Sequence, residues 1–294
     1  DNGYVALDRD TVVSVDGATG GQITVDARKL VQDDGVLAII GPLSSGESAV
    51  AFNDAERLKT LMLPTSASAP GLTEGRRYGW RLSEDEAKQF SRLLKAIKAK
   101  GVKADTAEIV YISDEVVSNN AGTKLYPSLL SDAGIKHGAP IPVQYKSFDM
   151  SAQAAKIIQS NPDIVALAAL PESASKVVKE LRRQGYKGRV VGSQIFADPN
   201  IGELLGPDGD GTMFVAGFWK EQTPAAKIFD EKLVEGAKAR GIHRLGAHHA
   251  DAQAYDIVFL LKQIIEKTGI TGDPAKLADE REELVKAMEG IRFT

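Results

Sequence analysis

Short apolar runs alternate with amphipathic segments along most of the chain. The runs are bounded by glycine, proline or small polar residues, as buried strands are. The segments between them carry apolar residues at helical spacing, as amphipathic helices do. This alternation predicts an α/β fold with parallel sheets and right-handed crossovers. The main predicted strands are VVSV (12–15), VLAIIG (36–41), LMLP (61–64), AEIVYIS (107–113), IPVQYKS (141–147), DIVALAAL (163–170), RVVGSQ (189–194) and GTMFVAGF (211–218).

The length and one break in the pattern predict two lobes. A chain of 294 residues suits two domains of about 150 residues each. A charged, turn-like stretch at 100–106 separates two series of strands. From Pro224 the chain is mostly helical, so this block most simply returns to cover the first sheet. We therefore expect one lobe from residues 1–104 and 224–294, and a second lobe from residues 105–223.

Two small polar loops follow the first pair of apolar strands. The segments GPLSSG (41–46) and TSASAP (65–70) offer hydroxyls and unshielded backbone N–H groups, and small residues let a ligand approach closely. A helix N-terminus behind the first loop favours an anion. An alternative reading of that loop is a turn in which serine caps the helix. Together, on adjacent strand ends, the loops predict a pocket wall for a carboxylate.

Strand ends in the second half supply further candidates. The segments Ser113–Asp114, Leu170–Glu172 and Gln194–Phe196 follow predicted strands and could face a cleft shared with the first half. Glu172 also fits a first-turn acid that supports its own helix. These segments add Leu170, Gln194 and Phe196 to the candidate ligand-binding residues.

His248, His249 and Asp251 invite a metal assignment. Adjacent histidines point to different sides of a helix or strand, so they rarely share an ion. We therefore predict no metal site. His249 or Asp251 could instead reach a ligand from the start of the helix that follows.

Composition and motifs exclude several classes of function. The net charge of −4 gives no basic footprint for nucleic acid, and the absence of cysteine excludes disulfides and thiol catalysis. No apolar run reaches the length of a membrane span, and no signal peptide is visible, although export with prior removal of a signal fits the sequence. Enzyme and cofactor motifs are missing, including a phosphate-binding loop and paired metal-binding histidines. We therefore predict a binding protein without catalytic residues or cofactor.

With the loops placed, the chain resembles the type I periplasmic solute-binding proteins of ABC importers, in the leucine/isoleucine/valine-binding branch. This resemblance covers most of residues 24–265. It implies two doubly wound parallel-sheet lobes, joined by hinge crossovers, that close on a ligand. It also implies a monomer in the periplasm that hands its ligand to a membrane permease. The matching stretches are ARKLVQDDGVLAIIGPLSSGESAV, LPTSASAPGLT, YGWRL, NPDIVALAALPESASKVVKELRRQGYKGRVVGSQ and AYDIVFLLKQIIEKTG.

The resemblance also assigns roles to individual residues. Ser45 matches the serine that holds the ligand carboxylate, and residues 66–68 match the segment that binds the carboxylate and the α-amino group. Leu170 and Gln194 match contacts from the second lobe. Ser44 matches a position that is cysteine in some members. The ligand-binding residues expected from loops, strand ends and resemblance are Ser44, Ser45, Ser66, Ala67, Ser68, Asn119, Leu170, Gln194, Phe196, His249 and Asp251.

Departures from the family pattern affect the expected ligand. The amino-acid binders place an acid at the position of Gln194, paired with the ligand ammonium, and the cleft aromatic near Ser118 and Asn119 is changed. A neutral amide favours a carboxylate without an ammonium, such as an aromatic or keto acid. Asp251 or Glu172 could still supply the charge. The pattern also lacks the apolar strand that opens the family and the strands that close it, so we expect part of the pocket to lie outside this chain.

Three functions remain open from the sequence. The first is a solute-binding protein for a small aromatic or keto acid. The second is a branched-chain or hydrophobic amino-acid-binding protein of the same family. The third is a sensor or regulatory ligand-binding module with the same fold.

Overall fold

The computed structural model describes residues 27–145 and 149–291, and the predicted strand at 12–15 lies outside them. Strands and helices alternate as expected, which confirms the α/β fold. The strands are β1 (Ala38–Ile40), β2 (Leu61–Leu63), β3 (Thr106–Ile112), β4 (Lys136–His137), β5 (Ile141–Val143), β6 (Ile164–Ala168), β7 (Arg189–Gly192) and β8 (Thr212–Phe214). The α-helices are α1 (Ser45–Leu58), α2 (Glu86–Ala99), α3 (Val116–Asn120), α4 (Tyr126–Asp132), α5 (Ser151–Ser160), α6 (Pro171–Arg183), α7 (Ile201–Leu205), α8 (Pro224–Ala239), α9 (His249–Thr268) and α10 (Leu277–Glu289).

Contacts divide the chain into two compact units. In the described part, the first unit comprises residues 27–67, 71–83 and 253–291, and the second comprises 68–70, 84–145 and 149–252. Strands β1 and β2 fall in the first unit and β3 to β8 in the second. Residues 84–104 and 224–252 group with the second unit, whereas the predicted lobes assigned them to the first. The lobe division concerns a hinge motion and stays a prediction.

The first unit is built on two short parallel strands. Strand β1 pairs with β2 so that Ala38 lies opposite Leu61 and Ile40 opposite Leu63. All three residues of β2 are buried. Helices α1, α9 and α10 contribute to one apolar core against these strands, as the apolar spacing in the 253–265 segment predicts. The core includes Phe52, Leu61, Leu63, Ile257, Leu284 and Val285.

The second unit contains a six-stranded parallel sheet in the order β4-β3-β6-β7-β8, with β5 also paired to β3. Strand β6 is buried at every position, which fits a central strand covered on both faces. One apolar core lies under helices α5 and α6, and another lies under α2 and α4. Because the strands are parallel, the carboxyl ends of β3, β6 and β7 share one edge of the sheet.

A buried glutamate anchors the turn before α10. One oxygen of Glu280 accepts hydrogen bonds from the backbone N–H and the hydroxyl of Thr271 (2.8 and 2.7 Å), and the other accepts from the Gly272 N–H at 2.7 Å. The hydrogen bonds from Thr271 hold the pKa of Glu280 below its ordinary value of 4.5.

These hydrogen bonds to Glu280 predict that the free energy of unfolding of the first unit depends on pH. A lowered folded-state pKa gives stability that is present above the unfolded pKa and is lost as pH falls through the folded pKa. We expect the Glu280→Gln variant to unfold at lower urea concentration than wild type at neutral pH, and the difference to shrink below pH 4. A difference that stays constant from pH 7 to pH 3 would contradict this assignment.

Candidate functional site

The two polar loops that follow β1 and β2 lie side by side. The Gly41 N–H donates to the Leu63 carbonyl at 2.8 Å, and the Thr65 N–H donates to the Pro42 carbonyl at 3.2 Å. Gly41 has a φ of +132°, which favours glycine. These bonds extend the β1–β2 pairing into the loops, so the hydroxyl-bearing segments after each strand are neighbours, as the sequence predicts.

Within the first loop, the two serines have different roles. The Ser44 hydroxyl accepts a hydrogen bond from the Glu47 N–H and donates to the Glu47 carboxylate (2.8 Å), which in turn accepts from the Ser44 N–H. This is a capping box at the start of α1, so the capping alternative holds for Ser44. Ser45 is the first residue of the helix and is half-buried, beside Gly46. The residue that the resemblance assigns to the carboxylate thus stands at the capped N-terminus of α1.

The residues of the second loop, TSASAP (65–70), differ in burial. Ser66 and Ser68 are half-buried, whereas Ala67 is only 1% exposed and packs into the core of the first unit. The contribution of Ala67 to a ligand is therefore limited to its backbone. The Ser68 carbonyl accepts a hydrogen bond from the Glu86 N–H at 2.8 Å, which ties this end of the loop to the start of α2.

Three predicted residues lie at the shared strand edge of the second unit. Leu170 is 42% exposed and immediately precedes Pro171, the first residue of α6. The Asn119 side-chain amide donates to the Ser113 carbonyl at 3.0 Å, so it secures the end of β3. Gln194 opens a 3-10 turn just beyond β7.

Gln194 is the most unusual of the predicted residues. Its side chain is 4% exposed, yet neither atom of its amide has a hydrogen-bond partner among the described residues. A Cβ added at Gly217 would lie 3.4 Å from the Gln194 Nε2, so Gly217 packs close to the amide. A buried amide without partners is costly, and a bound group that satisfies it offsets the cost.

The prediction that Phe196 contacts the ligand has no support from its position. Its side chain is fully buried in the core of the second unit and stacks on Phe214 with ring centroids 5.5 Å apart. A Cβ at Gly192 would lie 2.6 Å from the Phe196 ring, so the ring also covers the end of β7. Phe196 therefore anchors the turn that carries Gln194.

Asp251 is engaged within the second unit. Its carboxylate accepts hydrogen bonds from both terminal nitrogens of Arg244, one of them at 3.0 Å, and from the His248 N–H at 2.8 Å. The charge that Asp251 could offer a ligand ammonium is thus already balanced. Arg244 was not among the residues predicted from the sequence, because nothing in its local pattern indicates a partner seven residues away.

The adjacent histidines lie at the start of α9 and contact each other. The His248 Nδ1 accepts the Ala250 N–H at 3.2 Å, and the two imidazole rings lie 3.8 Å apart. Burial and the neighbouring His248 ring lower the pKa of His249 to about 3, so it is neutral at physiological pH. Residues 27–145 and 149–291 contain no group of three or more side chains that could hold a metal ion.

A cavity of about 490 Å³ lies within the second unit. Its walls include Phe214, Phe218 and Trp219, together with the buried carboxylate of Asp230. Of the predicted ligand residues, only His249 lines it. Gln194 and Leu170 do not line it, whereas Ala197, three residues beyond Gln194, does. Across the described part of the chain, no helix has the length and apolar character needed to cross a bilayer.

Comparison with known proteins places the chain in a family. A sequence model described as periplasmic binding protein matches residues 11–294. The chain therefore belongs to the periplasmic binding protein family, and its fold is that of the type I, leucine/isoleucine/valine-binding branch.

One curated relative is the chemotactic signal transduction system substrate-binding protein BasB of Halobacterium salinarum. It is 28% identical over 174 residues, which cover 57% of this chain and 41% of BasB. This chain thus matches less than half the length of that relative.

Solved structures share the fold at low sequence identity. The leucine-binding protein LivK of Thermotoga maritima is 22% identical with a TM-score of 0.70, and the match covers 90% of this chain and 73% of LivK. LivJ of Streptococcus pneumoniae, in complex with isoleucine, is 18% identical with a TM-score of 0.74, covering 92% and 74%. A solute-binding protein of Rhodopseudomonas palustris BisB5, in complex with 3,4-dihydroxybenzoic acid, is 17% identical with a TM-score of 0.71, covering 90% and 72%.

Proposed function

We propose that this protein is the extracytoplasmic solute-binding component of an ABC importer. It binds a small carboxylate, with an aromatic or keto acid preferred to an amino acid, and delivers it to a membrane permease. The observation that carries the ligand preference is the neutral Gln194 at the position where the amino-acid binders place an acid. The pairing of Asp251 with Arg244 supports it, because it removes one alternative source of negative charge.

The carboxylate end of the ligand is assigned to the loops. Ser45 stands at the N-terminus of a 14-residue helix, where backbone N–H groups and the helix dipole favour an anion. Ser66 and Ser68 add hydroxyls from the second loop. Leu170, exposed at the end of β6, supplies an apolar contact for the body of the ligand.

Two other functions have specific support. The isoleucine complex of LivJ favours an amino-acid ligand. The role of BasB in chemotactic signal transduction favours delivery to a sensor rather than to a permease. A thermal-shift screen across amino acids, keto acids and benzoates separates the ligand classes, because a ligand that binds only the native state raises its stability. If no carboxylate shifts the midpoint, the proposal is wrong.

Removing the hydroxyl of Ser45 or Ser68 is expected to weaken carboxylate binding. A hydrogen bond to a charged group contributes about 1.5–3 kcal/mol, so each alanine variant should lose roughly ten- to a hundredfold in affinity by calorimetry. Ser160→Ala is the matched control, since that hydroxyl only bonds to the Ile157 carbonyl at the end of α5. Unchanged affinity in both test variants would remove the loops from the site.

A further inference from the structure

Buried polar atoms without partners cluster where α2 meets the turn after β7. Within the part of the chain that the structure describes, these atoms are the Oε1 of Glu86, the Oε1 of Gln89, the Oγ of Ser193 and both amide atoms of Gln194. All four side chains are buried, and Glu86 is only 8% exposed. Native proteins rarely leave such atoms unpaired, and a group of them in one place points to a missing partner.

The cluster is held rigidly by its surroundings. The Tyr126 hydroxyl accepts the Ser193 N–H at 2.9 Å and donates to the Leu167 carbonyl at 3.3 Å. The Tyr126 ring stacks on Phe90 of α2 with centroids 4.3 Å apart. Helix α2 therefore cannot shift away from Ser193 and Gln194 without loss of this stack. The unpaired atoms are a fixed feature of the unit.

Glu86 also connects two segments that the proposed function assigns to the ligand. Its N–H donates to the Ser68 carbonyl, and the Ser193 hydroxyl lies close enough to its carboxyl to lower the pKa of Glu86. Gln194 is the next residue after Ser193. Helix α2, which carries Glu86, also contacts the turn that Gln194 opens.

Most of the unpaired atoms are hydrogen-bond acceptors. The Gln89 Nε2 already donates to the Glu84 carbonyl at 3.0 Å, which leaves its Oε1 to accept. Gln194 contributes one acceptor and one donor, and a carboxyl oxygen of Glu86 accepts in either protonation state. The missing partner must therefore bring donors, such as hydroxyl or ammonium groups.

The charge of the cluster distinguishes these two donors. Burial raises the pKa of Glu86 above its ordinary value of 4.5, opposed by Ser193 and assisted by the negative charge of Asp85. Tyr126, the other titratable group that faces it, is also buried with a raised pKa. Burial thus disfavours the charged carboxylate that would balance an ammonium, whereas a hydroxyl needs no counter-charge.

We propose that Glu86, Gln89 and Gln194 form a second polar subsite that binds hydroxyl groups of the ligand. This inference rests on the proposed function and makes it specific: the ligand is a hydroxyl-bearing carboxylate. This subsite could not be predicted from the sequence, because acidic residues are common in the first turn of a helix.

The test compares matched probes on wild type and two variants. Wild type should bind 3,4-dihydroxybenzoate at least tenfold more tightly than benzoate, and Glu86→Met should abolish that ratio while benzoate affinity changes less than threefold. Glu84→Gln is the control, because this exposed carboxylate pairs with Arg92 and should leave both affinities unchanged. Equal affinities in wild type, or a ratio that survives in Glu86→Met, would overturn the subsite.

A ligand-free measurement separates this proposal from the proposed function. A carboxyl left unpaired for a ligand destabilises the empty protein, so Glu86→Met should raise the thermal midpoint by about 2 °C or more. If none of the probes binds wild type, the carboxylate function fails, and the midpoint alone decides on the subsite. An unchanged or lower midpoint in Glu86→Met identifies Glu86 as a structural residue and overturns the inference.

Discussion

The Gln194→Glu variant is expected to shift the ligand preference of this protein from keto acids toward amino acids. Leucine and 2-ketoisocaproate differ at one carbon, where leucine carries an ammonium and the keto acid a carbonyl. A carboxylate at position 194 would pair with the ammonium and repel the electron-rich carbonyl. A charge-assisted hydrogen bond is worth about 1.5–3 kcal/mol, so the affinity ratio should move at least tenfold toward leucine.

The measurement is a calorimetric titration of both ligands into wild type and variant. Phenylalanine and phenylpyruvate form a second matched pair that checks whether the shift follows the ammonium rather than the side chain. Glu172→Gln is an informative companion, since the Glu172 carboxylate accepts the Tyr145 hydroxyl at 3.2 Å and is the remaining candidate for a compensating charge. If wild type already binds leucine tenfold more tightly than every des-amino acid, the inference from Gln194 is wrong.

The succession of strands along the chain and the neighbouring polar loops could be predicted because both depend on local pattern. Buried parallel strands read as continuous apolar runs, and β6 is buried at all of its positions. The loops after β1 and β2 were expected to be neighbours because sequential strands usually pair. The hydrogen bonds from Gly41 and Thr65 show that they are.

The orientation of individual side chains could not be predicted in the same way. Phe196 follows a strand, as a ligand residue should, but the tight approach of its ring to Gly192 turns it into the core. Asp251 opens a helix, and only the folded loop shows that Arg244 occupies its carboxylate. The carboxyl of Glu86 lies beside the hydroxyl of Ser193, which is more than one hundred residues away in sequence. Each outcome depends on packing between distant segments, which a single sequence does not encode locally.

The unit boundary shows a similar limit. The amphipathic pattern identifies α2 as a helix with one apolar face, but it does not say which sheet that face covers. Phe90, Leu94 and Ile97 pack in a core shared with β3 and β6, so α2 belongs to the second unit. A helix that precedes the charged break at 100–106 thus packs with the strands that follow it.

Replacing Gly122 with alanine is expected to destabilise the second unit strongly, because the added methyl group clashes with a strand residue. A Cβ at this position would lie 2.2 Å from the Tyr111 Cβ and 2.7 Å from its Cγ. Tyr111 belongs to β3, which is hydrogen-bonded on both sides, so its Cβ cannot retreat without disturbing the sheet. The helical segment at 121–125 must move instead.

That movement has a cost in stability and an effect on the site. Overpacking typically costs about 1–3 kcal/mol, and a clash between two fixed Cβ positions lies at the upper end. Asn119, in the preceding turn, would lose its hold on the Ser113 carbonyl at the end of β3. We therefore expect the free energy of unfolding, measured by urea titration, to fall by about 2–3 kcal/mol. Carboxylate binding should be weaker in the same variant.

The control is Gly202→Ala in α7, where an added Cβ meets no atom within 4 Å. Alanine is the better helix former by about 1 kcal/mol, so this variant should be neutral or slightly more stable. Urea unfolding of both variants, followed by circular dichroism, distinguishes a local clash from a general intolerance of added methyl groups. A Gly122→Ala protein within 0.5 kcal/mol of wild type, the usual range for a neutral surface change, would show that the 121–125 segment is free to move away from β3.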